Sequence, residues 1–131
     1  MVRWAYLFRI MLKTAVGRPA VGSSDNMLGA RVGIDVRPDG AGNVQPAKGG
    51  ISVATDDPAR LPPHLRPLRF GGACGLPLFR IEDSSLGERL SYRADPRRPT
   101  RHGMVEPATS MTLDAYQDAL ASTSPAWREV P

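Results

Sequence analysis

The sequence predicts an α+β fold with twisted, mostly antiparallel β-sheets and few short helices, and three observations support this prediction. Short stretches with the two-residue alternation of strands outnumber stretches with helical periodicity. Gly and Pro number 13 each among the 131 residues, which indicates long and irregular loops. The length matches one domain with a single core, so we take residues 1–131 as one domain.

Residues 6–12 predict the first strand, because β-favouring aromatic side chains lie at its centre. Alternation places Tyr6, Phe8, Ile10 and Leu12 on one face and Arg9 on the other, which is otherwise apolar. Burying a guanidinium without a partner is costly, so Arg9 should either reach solvent or face a cleft that holds an anion or a carboxylate. Arg9 also interrupts an apolar run that is too short to span a bilayer, so no membrane partner is predicted.

The middle of the chain predicts loops and three further strands. The density of Pro, Gly and Asn over residues 37–48 indicates an irregular excursion of the kind that often covers a site. The extended pattern resumes over residues 49–55, where Ser52 lies on the face opposite Ile51 and Val53. Gly49 and Gly50 permit close backbone approach, either by a ligand or by a neighbouring strand. Residues 76–81 and 90–93 are also typical of strands.

A late strand carries two ionisable side chains on one face. Alternation points His102, Met104 and Glu106 in one direction, with the ends of this set about 13 Å apart at the rise of a strand. The imidazole and the carboxylate are too distant to pair, but they can contact opposite ends of one ligand. Pro107 lacks an amide donor and should end the strand. The alternative is that Glu106 is a solvated charge and His102 a turn residue.

The clearest helical pattern follows this strand. Thr112 is a good N-cap, and the sequence Ser124-Pro125 should stop the helix. Trp127 is expected to pack back on the body of the domain. The side chains predicted to share one helix face are Leu113, Tyr116, Gln117 and Leu120.

Basic residues dominate the charge, which is +4, and all but Lys13 and Lys48 are arginines. Five arginines lie in residues 89–101 with Asp95 as the only acid, which indicates either a solvated loop or an anion-binding rim. A single cysteine, Cys74, excludes an internal disulfide. One thiol and two histidines also argue against a closed zinc site, so no metal is predicted.

The order of these features resembles mono-ADP-ribosyltransferases, which have an arginine on the first strand, a Gly-Gly-x-Ser segment opening another, and a late strand ending in Glu. The closest resemblance is to small bacterial toxins of type VI secretion systems with an ADP-ribosyltransferase-like fold. The segments that carry it are Leu7-Phe8-Arg9, Gly49-Gly50-Ile51-Ser52-Val53, Arg101-His102-Gly103-Met104-Val105-Glu106-Pro107-Ala108 with Met111, and Trp127-Arg128-Glu129-Val130.

This resemblance implies split, mostly antiparallel sheets and NAD as the substrate. Arg9, Gly50 and His102 would contact NAD, while Ser52 and Glu106 would be catalytic. The implied activity is that of a transferase acting on a macromolecular acceptor or of an NAD glycohydrolase. Many transferases that modify protein side chains carry a second acid two residues before the Glu, where this chain has a methionine, so the acceptor stays open.

The resemblance also implies a setting for the protein. It would act as a toxin in the cytoplasm of a competing cell, delivered by a secretion system without a signal peptide, or in its own cell when not neutralised. A cognate immunity or antitoxin protein would neutralise it. The alternative is a non-catalytic interaction domain that binds nucleic acid or an acidic protein partner through residues 89–101, with Glu106 incidental. Convergence of Arg9, Ser52 and Glu106 would favour the enzyme.

Overall fold

A computed structural model describes residues 5–131, so residues 1–4 of the predicted domain lie outside the described part. Most of the secondary structure is extended, with one α-helix near the end. Its elements are β1 (Tyr6–Ile10), β2 (Asn43–Val44), β3 (Ile51–Thr55), β4 (Leu78–Glu82), β5 (Leu90–Ala94), β6 (His102–Pro107), β7 (Met111–Thr112), α1 (Leu113–Ser122) and β8 (Arg128–Glu129).

Six of the strands form one sheet in the order β5-β6-β3-β1-β4-β8. Every neighbouring pair in this sheet is antiparallel, as is the separate pair of β2 and β7. The predicted α+β class with mostly antiparallel strands is therefore confirmed. The first strand lies close to the strands of Ser52 and Glu106, because β1 neighbours β3 and β3 neighbours β6.

Apolar side chains cover both faces of the sheet. On one face, Leu7, Val53 and Val105 pack with Tyr116 and Leu120 of α1. On the other face, Phe8, Ile10, Ala54 and Leu78 pack against residues 58–76, which form three short 3-10 turns. The alternation predicted for the first strand is confirmed, since its two sets of side chains enter different cores.

The helix begins and ends where the sequence predicts. The Thr112 hydroxyl accepts a hydrogen bond from the amide of Ala115 at 3.1 Å, which caps the first turn. Trp127 is buried, and its indole N–H donates to the Thr123 hydroxyl at 2.9 Å. The predicted helix face is confirmed at Tyr116 and Leu120, which are almost fully buried.

Two loop regions do not continue the two-residue alternation of the strands. The first strand ends at Ile10 rather than Leu12, because Leu12 donates to the Asn26 carbonyl and accepts from Ala20 instead of continuing in the sheet. Residues 27–32 form neither a helix nor a strand. The Gln117 side chain holds this segment by pairing with both the amide and the carbonyl of Ala30, each at 2.8 Å.

Candidate functional site: an arginine-lined cavity beside the central strands

The strongest candidate site lies where β1 and β3 separate. These strands pair only at Leu7 with Thr55 and Phe8 with Ala54, after which β1 continues beside β4 and β3 continues beside β6. A cavity of about 600 Å³ opens at this point. Five parts of the chain line it: β1, β3, residues 25–31, residues 60–66, and residues 98–102 at the turn between β5 and β6 and the start of β6.

Arg9 bridges the gap between the two strands. Its Nη1 donates to the Ser52 carbonyl at 2.8 Å, and its Nη2 donates to the Met27 carbonyl at 3.3 Å. Its Nε is buried and has no hydrogen-bond partner among residues 5–131. Burial lowers the pKa of Arg9, opposed by the Asp35 carboxylate, yet an arginine stays charged at neutral pH. The cavity therefore contains a poorly solvated cation with N–H groups still available to a ligand.

Ser52 and His102 lie in the wall of the same cavity. Ser52 is exposed, and its cross-strand partner on β6 is Met104. His102 is half-buried, with its Nδ1 2.9 Å from an Asp95 carboxylate oxygen, which leaves its other ring nitrogen free of this contact. The Arg97 amide and then the His102 ring lower the pKa of Asp95, so this carboxylate is well suited to orient the imidazole.

Glu106 lies outside the cavity wall and is buried, with 3% of its surface exposed. Both of its carboxylate oxygens lie 2.9 Å from Nε of Arg93, and one of them also accepts from the Ala47 amide at 2.7 Å. It shares a sheet face with Ser52, diagonally across from it, because Ser52 pairs with Met104 two residues earlier. The carboxylate is thus near the cavity but occupied by an ion pair.

Gly50 is placed by strand packing. A Cβ atom at this position would lie 2.3 Å from the Val105 carbonyl oxygen, so only glycine allows this approach of β6. Of the two alternatives for the glycine pair, Gly50 therefore serves a neighbouring strand. It is absent from the cavity wall, so the structure gathers Arg9, Ser52 and His102 there and leaves Gly50 and Glu106 beside it.

Arginines dominate the cavity wall. Arg9 is joined there by Arg31, Arg60, Arg66, Arg98 and Arg101, together with His64 and His102, whereas Asp25 is the only acidic residue that residues 5–131 contribute to the wall. The basic run of residues 89–101 indicated Arg98 and Arg101 as candidates for an anion-binding rim. No local signal in the sequence marked Arg31, Arg60 or Arg66.

The basic run itself divides into three environments. Arg89 pairs with Asp118 of α1 at 3.0 Å, and Arg93 pairs with Glu106. Arg98 and Arg101 reach the cavity. The run is therefore neither a uniform solvated loop nor a continuous rim, and of its arginines Arg98 and Arg101 belong to the candidate site, whereas Arg97 does not line the cavity.

The part of the chain that the structure describes contains neither a group of metal ligands nor a helix that could cross a membrane. Within residues 5–131, no three His, Cys, Asp or Glu side chains lie together as metal ligands would. No helix in the same range is long and apolar enough to cross a bilayer.

Comparisons with protein-family models, with curated proteins and with solved structures found no match to this chain.

Proposed function

We propose that the protein is an ADP-ribosyltransferase-like toxin that binds NAD in the arginine-lined cavity. One observation carries the proposal. Arg9, Ser52 and His102 are distant in sequence, yet they line one cavity at the point where two central strands separate. This arrangement agrees with the roles that the family resemblance implies for these three residues, whereas Glu106 lies outside the cavity wall, so the expected convergence of Arg9, Ser52 and Glu106 is met only in part. A volume of about 600 Å³ also suits a ligand of dinucleotide size.

Each residue would have a distinct role. Arg9 would bind the diphosphate through the second N–H groups of Nη1 and Nη2, which the hydrogen bonds to Ser52 and Met27 leave unused. Ser52 and His102 would contact ribose hydroxyls. The bond between ribose C1′ and the nicotinamide nitrogen would break with its electron pair leaving on nicotinamide. An acceptor or water would then bond to C1′ and release a proton to solvent.

Glu106 would stabilise the positive charge that develops on the ribose. Because Arg93 now pairs with its carboxylate, the proposal requires this carboxylate to turn toward the cavity when NAD binds. The exposed position of Arg93 favours such a change, since 45% of its side chain reaches solvent and can be solvated on release. Ala47 would keep one hydrogen bond to the carboxylate or exchange it for water.

A non-catalytic domain is the second candidate function, and the ion pair of Glu106 favours it. A buried carboxylate that accepts hydrogen bonds from two N–H groups, those of Arg93 Nε and the Ala47 amide, can be purely structural. In the toxin proposal, a cognate immunity protein binds the domain and protects the cell that produces it. In the non-catalytic alternative, the arginines contact nucleic acid or an acidic protein without consuming NAD.

The test compares three purified proteins for NAD binding by calorimetry and for release of nicotinamide. Arg9→Lys keeps the charge but loses the planar fork, so it should fold and bind NAD at least tenfold more weakly. Arg128→Lys, on β8 and outside the cavity wall, is the matched control and should behave as the parent. Equal binding by all three proteins, or no turnover by the parent with any cell lysate, would reject the proposal.

A further inference from the structure

The cavity has more positive charge than a single dinucleotide requires. Arg31 is already paired with Asp25 and Asp35, and Arg60 lies 3.9 Å from Asp56. By contrast, four arginines of the wall form no ion pair within residues 5–131. They are Arg9 and three others, Arg66, Arg98 and Arg101, which we call the arginine rim. The diphosphate of NAD has two negative charges, for which Arg9 and one neighbour suffice.

The arginine rim is held by ordered backbone rather than by a loose loop. In the turn between β5 and β6, the Arg98 amide donates to the Asp95 carbonyl, and the Arg101 amide donates to the Arg98 carbonyl. The Asp95 carboxylate also accepts from the Arg97 amide at 2.9 Å. Arg66 comes from a different element, where its Nε is buried and has no hydrogen-bond partner in the described chain. Two elements thus present unpaired guanidinium groups to one space.

Apolar and planar groups share the cavity wall with these cations. Leu61, Pro62, Pro63 and Leu65 belong to the same cavity wall, together with the His64 ring. Nucleic-acid bases pack on such surfaces and stack on imidazole or guanidinium planes when they are not paired. Phosphates at the same time bind arginine through bidentate hydrogen bonds. An acidic peptide would use the charges but would leave the apolar surface without a matching partner.

We propose that the arginine rim binds a single-stranded nucleic acid, with its phosphates on the guanidinium groups and its bases against residues 61–65. This inference rests on the proposed function in one respect, which is that the bound strand would be the acceptor. A nitrogen or oxygen of a base or terminal phosphate would bond to ribose C1′ as nicotinamide leaves with the bonding electrons. The proton lost by the acceptor would pass to water.

The binding test uses a short fluorescent oligonucleotide of mixed sequence, as single-stranded RNA, single-stranded DNA and duplex, followed by anisotropy. The variant Arg98→Gln with Arg101→Gln should bind single strands on the order of tenfold more weakly, and the salt slope should fall by about 1.4 for two lost phosphate contacts. The control, Arg18→Gln with Arg128→Gln, removes the same charge from exposed sites outside the cavity and should keep the parent's affinity and slope.

Three results would overturn the binding site. The first is a loss of affinity in the control variant as large as that in the Arg98 and Arg101 variant. The second is equal affinity of the parent for duplex and single strands, and the third is displacement of the strand by polyglutamate as readily as by unlabelled oligonucleotide. Binding of either single-stranded RNA or single-stranded DNA supports the site. The strand with the higher affinity shows whether the site prefers ribose or deoxyribose.

A separate assay with NAD labelled in its adenylate part decides the acceptor role. Label in the oligonucleotide supports it, whereas label only in lysate protein or only in free ADP-ribose rejects it. Strand binding without any consumption of NAD would reject the proposed function and leave the binding site standing.

Discussion

The ion pair between Arg93 and Glu106 allows the catalytic and structural roles of the carboxylate to be separated. Its two members are unequally buried, since 4% of the Glu106 side chain is exposed and 45% of the Arg93 side chain. Removing Arg93 leaves a buried carboxylate with only the Ala47 amide, and we expect Arg93→Gln to cost about 2–3 kcal/mol. Removing the charge of Glu106 returns a half-exposed arginine to solvent, so Glu106→Gln should cost only about 1 kcal/mol.

The double variant should be little less stable than Glu106→Gln alone, because no buried charge remains. A double-mutant cycle from urea denaturation at pH 7 should then give a coupling energy of about 2–3 kcal/mol. Additive effects, or a smaller loss for Arg93→Gln than for Glu106→Gln, would refute this reasoning.

The same variants test toxicity on expression. Arg93→Gln is less stable but keeps the carboxylate, so it should retain NAD turnover and toxicity. Glu106→Gln should be more stable than Arg93→Gln, yet it should lose both NAD turnover and toxicity. Toxicity that follows stability instead would show that Glu106 is not the catalytic carboxylate.

Three further predictions concern the scaffold. Gly50→Ala should lower the free energy of unfolding by about 1–3 kcal/mol in urea denaturation, because its Cβ would lie 2.3 Å from the Val105 carbonyl; an unchanged midpoint would contradict the close approach. Thr112→Ala should cost about 1 kcal/mol and Thr112→Ser much less, and equal losses would argue against the cap. Hydrogen bonds from Asn43, Gln45 and Ala41 lower the pKa of Asp39. The stabilisation from these hydrogen bonds is complete above the unfolded pKa of Asp39, about 3.9, and is lost as the pH falls through the lower folded pKa. After correction for intrinsic exchange rates, the Asn43 amide should therefore exchange hydrogen faster at that low pH than at neutral pH.

Local features of the chain were predictable where one physical rule dominates. Alternation was sufficient to assign the two faces of residues 6–10, because each face enters its own core. The cap at Thr112 and the anchor at Trp127 follow from side-chain chemistry within a few residues. The end of β6 at Pro107 follows from its missing amide.

The cavity was predictable only in part, because its wall is built by tertiary contacts. Arg9 was notable for its charge within an apolar strand. Arg31, Arg60 and Arg66 lie in irregular segments whose paths depend on contacts such as that between Gln117 and Ala30. The ion pair of Glu106 depends on the register of β5 against β6, and the loop that joins these strands does not reveal that register in its sequence.

The hydroxyl of Tyr116 links α1 mechanically to both central strands. It donates to the Val105 carbonyl at 2.5 Å and accepts from the Ile51 amide at 3.3 Å, while burial raises the pKa of the phenol and keeps it protonated. Ile51 and Val105 directly precede Ser52 and Glu106 in their strands. A protein that pushed on the outer side of α1 would therefore shift the backbone under both residues at once, through one side chain and without entering the cavity.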